Sequence, residues 1–141
     1  MIIQENYNER LDKGTFDNVS KVELLNIIKY FKESLSIKEK GFNHSSEFYS
    51  LLRKELPYKI QVENDLDIIQ YFDRIGKSKI DLDKNVFIIW ESPNQITNIK
   101  IRDLHIQWEE IWCPPADDGL VILIPNEKCF LITDYGTLYY N

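Results

Sequence analysis

Four carboxylates and two tryptophans fall within one short stretch, Trp108-Glu109-Glu110-Ile111-Trp112-Cys113-Pro114-Pro115-Ala116-Asp117-Asp118-Gly119. Such a cluster could do chemistry in two ways. Two carboxylates converging on one bond can share acid and base work on a sugar, or clamp a divalent cation. Acids beside aromatics can instead form a contact surface for a cationic protein, since aromatics dominate interface hot spots and complementary charge speeds association. A third arrangement involves no chemistry. Trp108 and Trp112 then pack a helix onto a sheet, the glutamates form its solvated face, and Asp117-Asp118-Gly119 is a turn. Geometry constrains the catalytic option. Neighbouring helical residues point about 100° apart, so Glu109 and Glu110 cannot both face one bond. One of them would have to pair with Asp117, Asp118 or Asp134. A binding role needs no such convergence, and Pro114-Pro115 would stiffen the loop that presents the acids. The candidate partner-binding residues are therefore Trp108, Glu109, Glu110, Trp112, Asp117, Asp118, Asp134 and Tyr135.

Other chemistry-bearing residues are sparse. Only His44, His105, Cys113 and Cys129 could serve as soft or borderline metal ligands, and their spacing fits no zinc pattern. Cys113 with His105 could make a nucleophile and base, but no residue is specified to orient the histidine. The five glycines form neither a dinucleotide fingerprint nor a P-loop. Asp134-Tyr135-Gly136 superficially matches the metal-binding tripeptide of kinases, yet a hairpin turn explains it better. No catalytic residue, metal or cofactor is assigned.

Composition narrows the partner. The chain has 141 residues and a net charge of −6, and 43% of it is hydrophobic. That suits one domain, residues 1–141, with enough core to fold without disulfides. Nucleic-acid binders carry clustered Lys and Arg and a pI above about 9; here the pI is near 4.9. Nucleic acid is thus not an expected partner. Nor is a membrane, because the longest apolar runs, Val86–Trp90 and Val121–Pro125, fall far short of the ~18 residues of a span. The start of the chain has no basic, apolar leader, so the expected location is the cytoplasm, with both cysteines as free thiols.

The elements that must position the acidic segment change character once along the chain. Ser20-Lys21-Val22-Glu23 is a capping box, and Val22, Leu25 and Ile28 with Leu24, Phe31 and Leu35 recur at helical steps behind it. A helix over about 20–35 follows. A second is expected from Ser45 or Ser46, burying Phe48, Leu51, Leu52 and Leu56 and ending at Pro57. A third is bounded by Asn64 and Gly76. Val86–Trp90 reads as a strand covered on both faces, a pattern that a buried helix turn also fits, and Gly119–Pro125, Lys128–Thr133 and Thr137–Tyr140 follow as an antiparallel meander. Residues 101–112 fit a helix with Leu104, Trp108, Ile111 and Trp112 on one face. The alternation Leu104, Ile106, Trp108 also fits a strand. The expected fold is α+β, with N-terminal helices packed on a mainly antiparallel sheet that ends in a C-terminal meander.

One likeness bears on function. Trp108-Glu109-Glu110-Ile111-Trp112, then Asp117-Asp118, a hydrophobic hairpin, Ile132-Thr133-Asp134-Tyr135-Gly136 and Tyr139-Tyr140 together resemble the C-terminal part of certain small bacterial proteins. Among these are immunity proteins of polymorphic and contact-dependent toxin systems. The resemblance spans about the last 40 residues. It implies an acidic inhibitor that captures a cationic partner, such as a basic toxin domain. The expected function is therefore a non-enzymatic binding protein. The alternatives are a small carboxylate-dependent hydrolase or metal-dependent enzyme, and a structural module that oligomerises through strand edges.

Overall fold

The computed structural model describes residues 15–37, 45–61, 81–90, 95–111, 119–124, 128–133 and 136–141. Along the chain come β1 (Thr15–Asp17), α1 (Lys21–Glu33), α2 (Ser45–Glu55), β2 (Tyr58–Gln61), β3 (Asn85–Trp90) and β4 (Gln95–Lys100). Two short helices follow, α3 (Ile101–Ile106) and α4 (Trp108–Ile111), then β5 (Gly119–Ile124), β6 (Lys128–Thr133) and β7 (Thr137–Tyr140).

The capping box starts α1 as its residues require. The Ser20 amide donates to Glu23 Oε1 at 2.9 Å, and the Glu23 amide donates to Ser20 Oγ at 3.1 Å. Leu24, Ile27, Ile28 and Phe31 form the buried stripe. Val22 lies off that stripe and is 66% exposed, and Leu25 is only half-buried. At the far end Ser36 turns left-handed at φ 56°, and the Ile37 amide reaches back to the Phe31 carbonyl at 2.9 Å. That six-residue closure satisfies a carbonyl the helix would otherwise leave free. In α2, Phe48, Tyr49 and Leu52 are buried and Leu51 is half-buried; Leu56 is buried just beyond, ahead of Pro57.

Seven strands form one sheet in the order β1-β4-β3-β5-β6-β7-β2, antiparallel throughout except for the β1–β4 pair. Its central strands are covered on both faces. Phe87, Ile89, Val121, Leu123 and Leu131 face α1 and α2, while Val86, Ile88, Leu120, Ile122, Phe130 and Ile132 join Ile101, Leu104 and Trp108 on the other side. This is why β3 and β5 read as continuous apolar runs rather than alternating ones. The α+β fold, the helices ahead of most strands and the C-terminal meander all match the sequence expectation.

Three strands were not foreseen: β1, β2 and β4. Residues 101–111 are helical, but as two pieces that meet at Gln107. Ile106 is 73% exposed, which excludes the strand alternation for this segment. The helix expected between Asn64 and Gly76 lies outside the described residues.

Helix α2 is tied to the sheet at one glycine. The Tyr49 hydroxyl donates to the Gly119 carbonyl at 3.0 Å, and a Cβ at Gly119 would lie 3.2 Å from the Tyr49 ring. A Gly119→Ala substitution must therefore push a buried, hydrogen-bonded ring aside, at a cost of about 1–3 kcal/mol. Tyr49→Phe keeps the ring and loses only the bond, about 1 kcal/mol. Urea midpoints at unchanged m-value should place both variants below the parent, with Gly119→Ala no more stable than Tyr49→Phe.

Candidate functional site

Trp108 is 5% exposed and packs in the cluster formed by Val86, Ile88, Leu104, Leu120 and Ile122. It pins α4 to the sheet. The exposed anchor that a binding role asked of it is thus corrected: Trp108 is a core residue. Glu110 projects from α4 into solvent, and Ile111 is half-buried. Trp90, at the end of β3, is half-buried against the same cluster. The backbone of Glu109 belongs to α4. Trp112, Asp117, Asp118, Asp134 and Tyr135 lie outside the described residues, as does Cys113.

Strand register nevertheless relates the points where the acidic segments join the sheet. Gly119 pairs with Thr133, and Ile89, next to Trp90, pairs with Val121. Trp90 in turn pairs with Gln95. Segment 91–94, the C-terminal end of 112–118 and segment 134–135 therefore join the sheet at one end. Around the last of these the chain is closed tightly. The Gly136 amide donates to the Thr133 carbonyl at 3.0 Å, Gly136 has φ 80°, and Thr133 Oγ1 accepts from the Thr137 amide at 3.2 Å. These bonds bracket the connection between the antiparallel strands β6 and β7.

Charge is unevenly divided. The helices and strands are close to neutral, with eight acids and nine bases. Segments 91–94, 112–118 and 134–135 contain Glu91, Asp117, Asp118 and Asp134 with no Lys or Arg.

A second feature was missed by sequence reasoning. A cleft of about 180 Å³ opens between α1 and the sheet, rimmed by Glu23, Asn26, Tyr30 and Asn85 over Ile27, Phe87 and Leu123. Glu23 was legible only as a helix cap. Its second oxygen, Oε2, accepts from Asn98 Nδ2 at 3.3 Å, so the cap also joins the helix to β4. Asn98 Oδ1 is buried with no hydrogen-bond partner. Tyr30, further along the helix, accepts from Asn141 Nδ2 at 2.8 Å, and Asn141 Oδ1 accepts from the Cys129 amide at 2.8 Å. Burial pushes the Tyr30 phenol above its ordinary pKa, and the Asn141 bond partly offsets this. The available signal was Glu23, Asn26 and Tyr30 at one-helix-face spacing.

Cys129 is fully buried, and desolvation pushes its thiol far above the ordinary range. That environment suits packing, not nucleophilic attack. His105 is exposed on α3. Among the described residues no three His, Cys, Asp or Glu side chains are grouped to hold a metal ion, and no helix is long and apolar enough to cross a membrane. Compared with protein-family models, curated proteins and solved structures, the chain matches none.

Two outcomes follow from these environments. Trp108→Ala should cost about 3–5 kcal/mol in denaturant unfolding, the loss expected of a core aromatic; a surface anchor would cost little. For Cys129 the sign is set by its raised folded pKa. The unfolded thiol ionises near pH ~8.5 while the folded one stays neutral. Its contribution is complete below that pH and shrinks above it, by up to about 1.4 kcal/mol per pH unit. Stability measured from pH 7 to 10 should fall more steeply in the parent than in Cys129→Ala.

Proposed function

We propose that this chain is a non-enzymatic acidic binding protein of the cytoplasm, an immunity-type inhibitor that captures a cationic protein such as a toxin domain. The observation that carries this reading is the division of charge. A neutral, well-packed sheet joins segments 91–94, 112–118 and 134–135 at one end, and those segments hold acids without bases. Binding residues concentrate on loops held by a rigid scaffold, and a field of one sign steers an oppositely charged partner toward its site. Glu110, Asp117, Asp118 and Asp134 supply the field in this reading. Glu109 adds to this field, Trp112 and Tyr135 supply the aromatic contact, and Trp108 sets the position of α4. The resemblance of the last 40 or so residues to immunity proteins agrees with it.

Affinity capture from a low-salt lysate of the source organism tests the reading. The parent chain should retain a basic protein that is released as salt rises, because exposed charges are screened beyond about 10 Å at 0.1 M. A double variant with Asp117→Lys and Asp118→Lys should fold with a stability change under ~0.5 kcal/mol and lose the partner. Capture that survives both the reversal and high salt would contradict an electrostatic role for these acids.

A further inference from the structure

The cleft beneath α1 lies away from the acidic end of the sheet, beside Asn85 and Leu123. Its chemistry is one-sided. Among the described residues Glu23 is the one carboxylate at its rim, and no Lys or Arg lines it. Each Glu23 oxygen already accepts one bond, from the Ser20 amide or from Asn98, which leaves one lone pair on each. Asn26 and Asn85 line the rim with side-chain amides, whose carbonyls can accept further bonds. An anion would meet a carboxylate and no counter-charge. Drug-sized ligands fill about 300–1,000 Å³, so a cleft of about 180 Å³ suits a single side chain.

We propose that this cleft is a pocket for one arginine side chain of a protein partner. A guanidinium offers five donors in a planar fork, which matches acceptors spread around a rim better than a point-like ammonium does. Its methylene stem would lie over Ile27, Phe87 and Leu123, and the charged head would meet Glu23 at the mouth. That the arginine belongs to a protein rests on the capture role proposed above. The recognition chemistry does not, and it can be read without any partner.

The test is a titration of the full chain, followed by amide NMR, with Nα-acetyl-arginine methylamide and with its uncharged isostere Nα-acetyl-citrulline methylamide. The arginine compound should give saturable shifts at Asn26, Tyr30, Phe87 and Leu123, and the citrulline compound should bind about tenfold more weakly or worse. Glu23→Gln removes the charge yet keeps a side-chain acceptor for the Ser20 amide, as glutamine also serves in a capping box. It should weaken arginine binding by about tenfold. Asn26→Asp adds a carboxylate at an exposed rim position and should tighten binding severalfold. Equal responses to both compounds, or arginine affinity unchanged in both variants, would overturn the pocket. Loss of lysate capture with arginine binding intact would overturn the capture role alone.

Discussion

Everything else in this molecule depends on the burial of β3, β5 and β6 from both sides. All six residues of β5 are buried, as are four of the six in β3 and five of the six in β6. Each apolar side chain removed from water there contributes about 1.5–3 kcal/mol relative to exposure. Two-sided burial also demands cover on both faces. Helices α1 and α2 supply it on one side, and α3 and α4 on the other, with Trp108 as the large contact of the second layer. Trp108 cannot serve at once as this contact and as an exposed anchor.

That packing separates two kinds of residue. The sheet and its covering helices carry balanced charge, and their polar contacts serve mainly to fix one element on another. Tyr49 holds α2 to Gly119, Glu23 holds α1 to Asn98, and Asn141 links Tyr30 to the Cys129 amide. The exposed ion pair of Arg102 with Asp83, at 3.3 Å, contributes little in water. Glu91, Asp117, Asp118 and Asp134 belong to segments that join the sheet beside Trp90, Gly119 and Thr133.

Much of this was legible in the sequence, and the reasons differ by element. The start of α1 could be read because a capping box is a local signal, and β5 and β6 because long apolar runs between turn residues have few other readings. Strand β4 was not legible. Its apolar residues Ile96 and Ile99 are three apart, since Asn98 occupies an inward position where Glu23 holds its amide. Strand β2 is an edge strand with exposed residues and no alternation to read. Three-residue β1 exists only through pairing with β4, far along the chain. The α1 cleft was invisible for the same reason, because it requires Glu23 and Asn85 to meet across the fold. Of the acidic–aromatic segment, helix and strand both fitted residues 101–112, and only the exposure of Ile106 separates them. Whether Trp108 faced core or solvent was not readable, since periodicity gives a helix one apolar face without naming its neighbour.

In the proposed function a cationic partner meets the end of the sheet that carries Trp90, Gly119 and Thr133. Amide hydrogen exchange with and without a ten-residue lysine peptide tests it most directly. At low salt Trp90, Gln95, Gly119, Leu120, Thr133 and Thr137 should gain protection that is lost when salt is raised, with Lys84, Asn85, Ile124 and Lys128 unchanged. Protection spread evenly over the molecule, or confined to the Asn85 and Ile124 end, would contradict it.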